Sequence, residues 1–217
     1  MLADLVLPLH CGGCGAPGLR WCADCERLLA GAGRDPVLVT PRIDPGVPVF
    51  SLGRYAGARR QAIVAVKEHG RADLIAPLSR ALAGGLHRLL GWGLLPVPVT
   101  LVPAPTRASS ARRRGGDPVT RVARAAVTPP NGVATVDGVA TVDGVLRLRA
   151  FTRDSVGLSA AARQRNVAGR VRLRRPVRGD VLLIDDVVTT GATACASVSV
   201  LQTHGARVAA VLVIAHA

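Results

Sequence analysis

The fold of this chain is decided by residues 181–193, Val-Leu-Leu-Ile-Asp-Asp-Val-Val-Thr-Thr-Gly-Ala-Thr. Four consecutive apolar residues predict a strand that is buried on both faces, as in a parallel sheet covered by helices. Two carboxylates follow, then a short loop, and then a helix of small residues from Ala194 to about Gln202. Because open α/β sheets bind ligands at the carboxyl ends of their strands, we expect the binding site at this loop.

The loop has the chemistry of a phosphate site. Thr189, Thr190 and Thr193 offer hydroxyl donors, and Gly191 permits close approach of the backbone. The free N–H groups and the dipole at the start of the next helix favour an anion. The acids at 185–186 would repel a bare phosphate, so we expect them to face sugar hydroxyls, Mg²⁺ or both. A ligand with a ribose diol and a 5′-phosphate satisfies both ends of the stretch.

This pattern closely resembles the ribose-phosphate-binding signature of the type I phosphoribosyltransferases. The signature is four apolar residues, two acids, two apolar residues and Thr-x-Gly-x-Thr, and residues 181–193 match it without a break. An ordinary buried strand with a Thr-Gly turn is the alternative, and it leaves the two adjacent acids unexplained. The resemblance implies a phosphoribosyl-binding set made of Asp185, Asp186, Val188, Thr189, Thr190, Gly191, Ala192 and Thr193.

Two Cys-x-x-Cys pairs near the N-terminus predict a metal site. Cys11 and Cys14 form the first pair, Cys22 and Cys25 the second, and seven residues separate the pairs. Four thiolates complete a closed tetrahedral zinc site, which is structural because no position is left open for chemistry. Two disulfides are the alternative, and they require an oxidising compartment. The fifth cysteine, Cys195, is expected to be a small packing residue.

Composition adds a basic band to this outline. The formal net charge is +14, and 16 arginines against four aspartates fall within residues 101–178. Such a band indicates an anionic partner, either phosphates or nucleic acid, or else a solvated arginine-rich face. No apolar run is long enough to span a membrane, and the N-terminus lacks the features of a signal peptide. We therefore expect a cytoplasmic protein.

Residues outside the central stretch predict further elements of an α/β domain. Periodicity predicts helices over 59–68 and 73–90, strands over 50–55, 97–102 and 208–215, and a helix over 117–127. Residues 26–48 predict a linker with one short strand at 37–39. The hexamer Ala-Thr-Val-Asp-Gly-Val occurs twice in succession over 134–145, which we interpret as a duplication in a tolerant hairpin or loop. The unit formed by the central strand, its helix and the last strand should be parallel and right-handed.

The chain as a whole is similar to the ComF family, a phosphoribosyltransferase-like family associated with DNA uptake. The matching motifs are the cysteine pairs, Lys-x-x-Gly at 67–70, Val-Pro-x-Pro at 102–105 with arginines downstream, and Gly-Leu-Ser-x-x-x-Arg-x-x-Asn at 157–166. The resemblance implies binding of phosphoribosyl pyrophosphate with Mg²⁺. It further implies pyrophosphate or anion contacts by Lys67, Pro103, Ala104, Pro105, Arg112, Arg114 and Arg163.

These observations predict a type I phosphoribosyltransferase-like parallel-sheet core over residues 49–217. A small zinc knuckle with four cysteine ligands and a linker would occupy residues 1–48. One hypothesis for function is an enzyme that transfers the phosphoribosyl group to a nitrogen nucleophile, with no catalytic residue assigned. The other is a non-catalytic accessory protein of competence that binds single-stranded DNA and competence proteins and uses the pocket as a ligand sensor. A backbone-only mode of DNA binding would be strongly salt-dependent.

Overall fold

A six-stranded sheet lies at the centre of the computed structural model, which describes residues 9–30, 35–106, 117–128, 139–149 and 170–217. The described helices are α1 (Ala23–Ala30), α2 (Gly57–His69), α3 (Ile75–Gly91), α4 (Pro118–Val127) and α5 (Ala192–Thr203), and a 3₁₀ turn spans Ala72–Leu74. The described strands are β1 (Val37–Leu38), β2 (Val49–Ser51), β3 (Val99–Pro103), β4 (Ala140–Val142), β5 (Leu146–Leu148), β6 (Val171–Leu173), β7 (Gly179–Val188) and β8 (Ala206–His216).

The sheet has the order β1-β2-β8-β7-β3-β4. Strand β7 pairs in parallel with β3 on one side and β8 on the other, so the central stretch of the sequence lies in the middle of the sheet. Only β1 runs antiparallel among these described strands, and it pairs with β2 at one edge. Strands β5 and β6 form a separate two-stranded antiparallel ribbon.

Strand β7 divides the core into two layers. Leu182 and Ile184 pack into one hydrophobic cluster with side chains of α2, α3 and α4. Val181 and Leu183 alternate with them and pack into a second cluster with side chains of α5. All four β7 side chains are fully buried. The apolar run therefore predicted a doubly covered strand correctly, because both faces of a parallel strand need an apolar side chain at each position.

The predicted α/β class and the parallel strand–helix–strand unit are confirmed. Strand β7 and helix α5 are each longer than predicted, since β7 continues through Val188 and α5 begins at Ala192. Helix α2 spans the predicted 59–68 and ends at His69, where Gly70 caps it with a left-handed φ of 65°. None of the helices in the described ranges is long and apolar enough to cross a membrane.

Two predictions of local structure were wrong. The predicted linker at 26–48 begins inside α1, whose Leu29 is buried in the main core. The polar composition hid this helix, because its apolar side chains lie on one face only. The second copy of the duplicated hexamer is part of the sheet and not a hairpin or loop. Its Ala140, Thr141 and Val142 form β4, paired in parallel with β3. The first copy lies almost entirely outside the described residues.

Candidate functional site

A concave space open to solvent lies where β7 ends and α5 begins. Its volume is about 280 Å³. Residues of the threonine loop and of the first turn of α5 line it, and the N-terminus of a helix favours an anion. Of the eight predicted phosphoribosyl-binding residues, seven line it: Asp185, Val188, Thr189, Thr190, Gly191, Ala192 and Thr193.

The two acids of the signature point to different sides of the sheet. Successive side chains of a strand face opposite ways, so Asp185 lines the loop space and Asp186 does not. Asp186 is buried and lies 2.7 Å from Lys67, measured from Oδ2 to Nζ. It lines a second, largely apolar pocket with Lys67 and with side chains of α2, α3, α4 and β8. The structure thus places Lys67 beside the second acid of the signature, and its predicted contact with an anion stays a prediction.

Burial and neighbouring charges shift the pKa of Asp185 and that of Lys67. Burial and then the neighbouring charge of Asp186 raise the pKa of Asp185 well above its usual range. The backbone N–H of Asp186 donates to Asp185 Oδ1 at 2.8 Å and opposes this rise. Burial lowers the pKa of Lys67, but the Asp186 carboxylate outweighs it, so the net pKa is raised. Lys67 therefore stays charged beside Asp186.

A strap formed by residues 41–43 crosses the loop. The Ile43 N–H donates to the Thr190 carbonyl at 2.8 Å. A Cβ at Gly191 would lie 2.3 Å from the Ile43 carbonyl oxygen and 2.8 Å from Pro41 Cβ, and Gly191 has a φ of 85°. Glycine is needed here for both conformation and space. The strap is a part of the site that sequence reasoning missed, because nothing in the composition of residues 41–43 signals the contact.

The four cysteines predicted to bind a metal lie together. Their sulfur atoms are all within 4.8 Å of one another, a spacing that suits a shared ion. Burial by itself would raise the pKa of Cys11, but hydrogen bonds from the backbone of Cys14, Gly13 and Cys22 together outweigh it and lower this pKa to about 6. Burial and neighbouring thiols raise the pKa of Cys25. A set of four soft thiolate donors fits a tetrahedral metal ion such as zinc.

Hydrogen bonds of polar side chains join the segment that carries the cysteine cluster to the rest of the structure. Glu26 of α1 accepts two hydrogen bonds from Arg80 of α3, at 2.7 and 2.8 Å. Arg71 donates to the backbone carbonyls of His10 and Arg20. The buried Arg59 of α2 donates to one carbonyl in α1 and one in β8. These contacts span the expected boundary at residue 48.

Solved structures of phosphoribosyltransferases match the chain in part. Two are variants of hypoxanthine phosphoribosyltransferases in which an invariant aspartic acid is replaced by glutamine or by glutamic acid. A third is the Trypanosoma cruzi hypoxanthine phosphoribosyltransferase. Each is 17% identical and matches 66% of this chain and 74%, 74% and 71% of its own, with a TM-score of 0.34. No protein-family model and no curated protein matches the sequence. At this identity and TM-score the likeness does not extend to function.

The predicted proline loop is a buried strand end. Pro103, Ala104 and Pro105 are all buried, and the Ala104 N–H donates to the Ile184 carbonyl at 2.7 Å. That N–H is therefore engaged with β7 in the ligand-free chain, and the predicted anion contact of this loop stays a prediction. Just beyond, the Thr106 hydroxyl donates to Asp117, which caps the N-terminus of α4. The remaining predicted anion contacts, Arg112, Arg114 and Arg163, lie outside the described residues.

Proposed function

We propose that this chain binds phosphoribosyl pyrophosphate or ribose 5-phosphate at the end of β7. The observation that carries the proposal is that Asp185 and the 189–193 loop line one concave space. A diol and a phosphate of a single ligand can then contact opposite ends of that space. The loop hydroxyls and the α5 N–H groups would hold the 5′-phosphate, and Asp185 would accept from the ribose hydroxyls.

The ligand is proposed to bind with Mg²⁺, which would neutralise pyrophosphate charge when present. Carboxylate and phosphate oxygens are the donors that Mg²⁺ prefers. Asp185 is the signature acid facing the space, whereas Asp186 is already paired with Lys67. The protein's own contribution is to orient the sugar and to stabilise anionic charge, which are the main demands of phosphoribosyl transfer to a nitrogen nucleophile. No catalytic residue is assigned.

The wider proposal follows the ComF resemblance. The chain would be a cytoplasmic phosphoribosyltransferase-domain protein linked to DNA uptake in natural transformation, with structural zinc held by Cys11, Cys14, Cys22 and Cys25. Residues 1–48 would form the knuckle and linker and residues 49–217 the catalytic-type domain. The second candidate is a non-catalytic accessory protein of competence that binds single-stranded DNA and senses a sugar phosphate in the pocket. The observation favouring it is the basic band, in which 16 arginines against four aspartates fall within residues 101–178.

Ligand stabilisation tests the proposed pocket. We expect phosphoribosyl pyrophosphate with Mg²⁺ to raise the thermal unfolding midpoint of the intact protein, because a ligand that binds only the folded state stabilises it. Asp185→Asn should weaken this shift strongly. Asp180→Asn, at the opposite end of the same strand, should leave the shift unchanged. An intact protein that shows no shift with either sugar phosphate would refute the proposed ligand.

Turnover separates the two candidates. An enzyme should release pyrophosphate from phosphoribosyl pyrophosphate when a panel of nucleobases and amines is supplied. A sensor should show the same thermal shift without acceptor-dependent release. Acceptor-dependent release that is lost in Asp185→Asn would exclude the non-catalytic candidate.

A further inference from the structure

We propose that the β5–β6 ribbon is a binding surface for the phosphate backbone of duplex nucleic acid. The ribbon consists of β5, β6 and the arginines that flank them, within residues 146–149 and 170–178. The proposal is independent of the sugar-phosphate pocket, because it rests on a different part of the molecule.

The two faces of the ribbon differ in chemistry. Leu146 and Val171 are buried, and Leu148 and Leu173 pack against the second hydrophobic cluster that also covers α5. Because successive side chains of a strand point to opposite faces, the residues between these leucines and valine lie on the other face, and they are arginines. These are Arg147 in β5 and Arg172 in β6, with Arg149, Arg170 and Arg174 next to the ends of the strands. One face therefore fixes the ribbon to the core and the other displays positive charge.

Like charges oppose one another directly on the displayed face. Arg147 and Arg172 are cross-strand partners in the ladder, and both are exposed. Each guanidinium donates to the carbonyl of the residue before it, at 2.8 and 3.3 Å respectively. Neither forms an ion pair with a carboxylate in the part of the chain that the structure describes. Like charges placed opposite each other destabilise a sheet. The ribbon therefore carries charge that its own folding does not require.

Among the described residues, one ion pair to a carboxylate is formed within 139–149 and 170–178. Asp143 pairs with Arg175 at 2.7 Å, next to the ribbon. Arg149, Arg174 and Arg178 form no ion pair with another described residue. A guanidinium that lacks an internal carboxylate and projects to solvent is suited to bidentate contact with phosphate. A polymer of phosphates complements a row of such groups better than a single small anion does.

The shape of the surface favours duplex over single-stranded nucleic acid. The major groove of a duplex admits a two-stranded β-ribbon, and a duplex presents a phosphate charge about every 1.7 Å along its axis. Sites for single strands use aromatic side chains as stacking platforms. Residues 139–149 and 170–178 contain no aromatic residue. The ribbon thus offers backbone contacts that recognise charge and shape without reading bases.

Fluorescence anisotropy with a labelled duplex of about 20 base pairs and a single strand of the same length tests the proposal, since about 20 base pairs spans roughly two helical turns. The variant is Arg147→Gln with Arg172→Gln. The control is Arg60→Gln with Arg124→Gln, which removes the same charge from exposed sites on α2 and α4. Arg124 belongs to the same basic band of sequence, so the control distinguishes the ribbon from the band.

We expect the intact protein to bind the duplex more tightly than the single strand at low salt. The ribbon variant should bind the duplex roughly tenfold more weakly, and its slope of log affinity against log salt should fall by about two, because each phosphate contact contributes about 0.9. The control should retain most of its affinity. The ribbon variant should unfold at the same or a higher temperature, which excludes misfolding as the cause.

Three results would overturn the proposal. The first is an equal loss of affinity in the ribbon variant and the control. The second is tighter binding of the single strand than of the duplex. The third is binding of an acidic peptide with the same dependence on the ribbon, in the absence of any binding to the duplex.

Discussion

At the scale of single residues, Gly191 links the phosphate loop to the strap. Gly205 provides a matched control, because it too has a positive φ, of 89°, but a Cβ there would meet nothing within 4 Å. We expect Gly205→Ala to reduce the free energy of unfolding by about 1 kcal/mol, for conformation alone. Gly191→Ala should reduce the free energy of unfolding by about 1–3 kcal/mol more than Gly205→Ala does, because the added carbon overlaps the Ile43 carbonyl. Urea unfolding measures both, and equal losses would contradict the close contact.

Asp185 predicts a pH dependence of the ligand-free protein. Its pKa is raised in the folded state, so the folded protein binds this proton more tightly than the unfolded chain does. The resulting contribution to the free energy of unfolding is fully present below the usual aspartate range. It is lost as the pH rises through the raised pKa. Relative to the parent, Asp185→Asn should therefore be more stable at neutral pH than at acidic pH, because the amide carries no charge at either pH. The measurement is the difference in thermal midpoint between the variant and the parent from about pH 3 to 8, a range that begins below the ordinary aspartate pKa. A difference that does not change with pH would exclude the raised pKa.

At the scale of elements, the Lys67–Asp186 pair joins α2 to β7. The Lys67 side chain is 35% exposed and that of Asp186 is 10% exposed, so solvent screens the pair only in part. We expect a double-mutant cycle with Lys67→Met and Asp186→Asn to give a coupling of about 1–3 kcal/mol, below the roughly 3–5 kcal/mol lost when a fully buried pair is broken. The Arg207–Asp180 pair, with a 77% exposed arginine, should give less than about 1 kcal/mol. Equal couplings would contradict this ranking.

The elements also show what the sequence could predict. The alternation of Val181 to Ile184 between two apolar layers was predictable, because burial on both faces leaves a continuous apolar run. The opposite directions of Asp185 and Asp186 follow from the same period, yet the signature alone treats the acids as one unit. The edge strand β4 was not predictable, since three residues of a repeated hexamer become a strand only when β3 offers a partner.

Contacts between residues far apart in the sequence could be predicted only where a motif specifies them. The cysteine spacing predicted the grouping of four sulfurs, because each Cys-x-x-Cys turn brings its own pair together. The pairing of Lys67 with Asp186 joins residues far apart in sequence, and no local pattern specifies it. The same holds for the strap, whose contact with Gly191 depends on where β1 and β2 lie at the edge of the sheet.

At the scale of the whole molecule, the cysteine cluster should stabilise the core as well as itself. Leu74 of the main core lies so close to Gly12 that a Cβ there would be 2.4 Å from Leu74 Cδ1. We expect zinc at one equivalent in the purified, reduced protein, and we expect Cys14→Ser to lose the metal and lower the thermal midpoint of the entire chain. Cys195→Ser should keep the metal, because Cys195 lies in α5. Elemental analysis showing no zinc in the parent would refute the metal site.

The contacts of Arg59, Glu26 and Arg71 lead to a further expectation about the whole chain. Residues 49–217 expressed alone would lose the carbonyl acceptors and the carboxylate that these arginine contacts use in residues 9–30. We expect this fragment to unfold at a lower temperature than the intact protein. Circular dichroism melting of both proteins tests this, and identical midpoints would show that the first 48 residues contribute nothing to stability.

The strap finally provides a natural reporter at a single atom. The Ile43 amide hydrogen is bonded to the Thr190 carbonyl, so its exchange with deuterium requires the strap to lift from the loop. A sugar phosphate that tightens the loop should slow exchange at this amide more than at the amide of Gly46, which is bonded to Asp44 within the same segment. Occupancy of the pocket would then be measurable in solution by the isotope content of one peptide group, without a label, a substrate analogue or a catalytic assay.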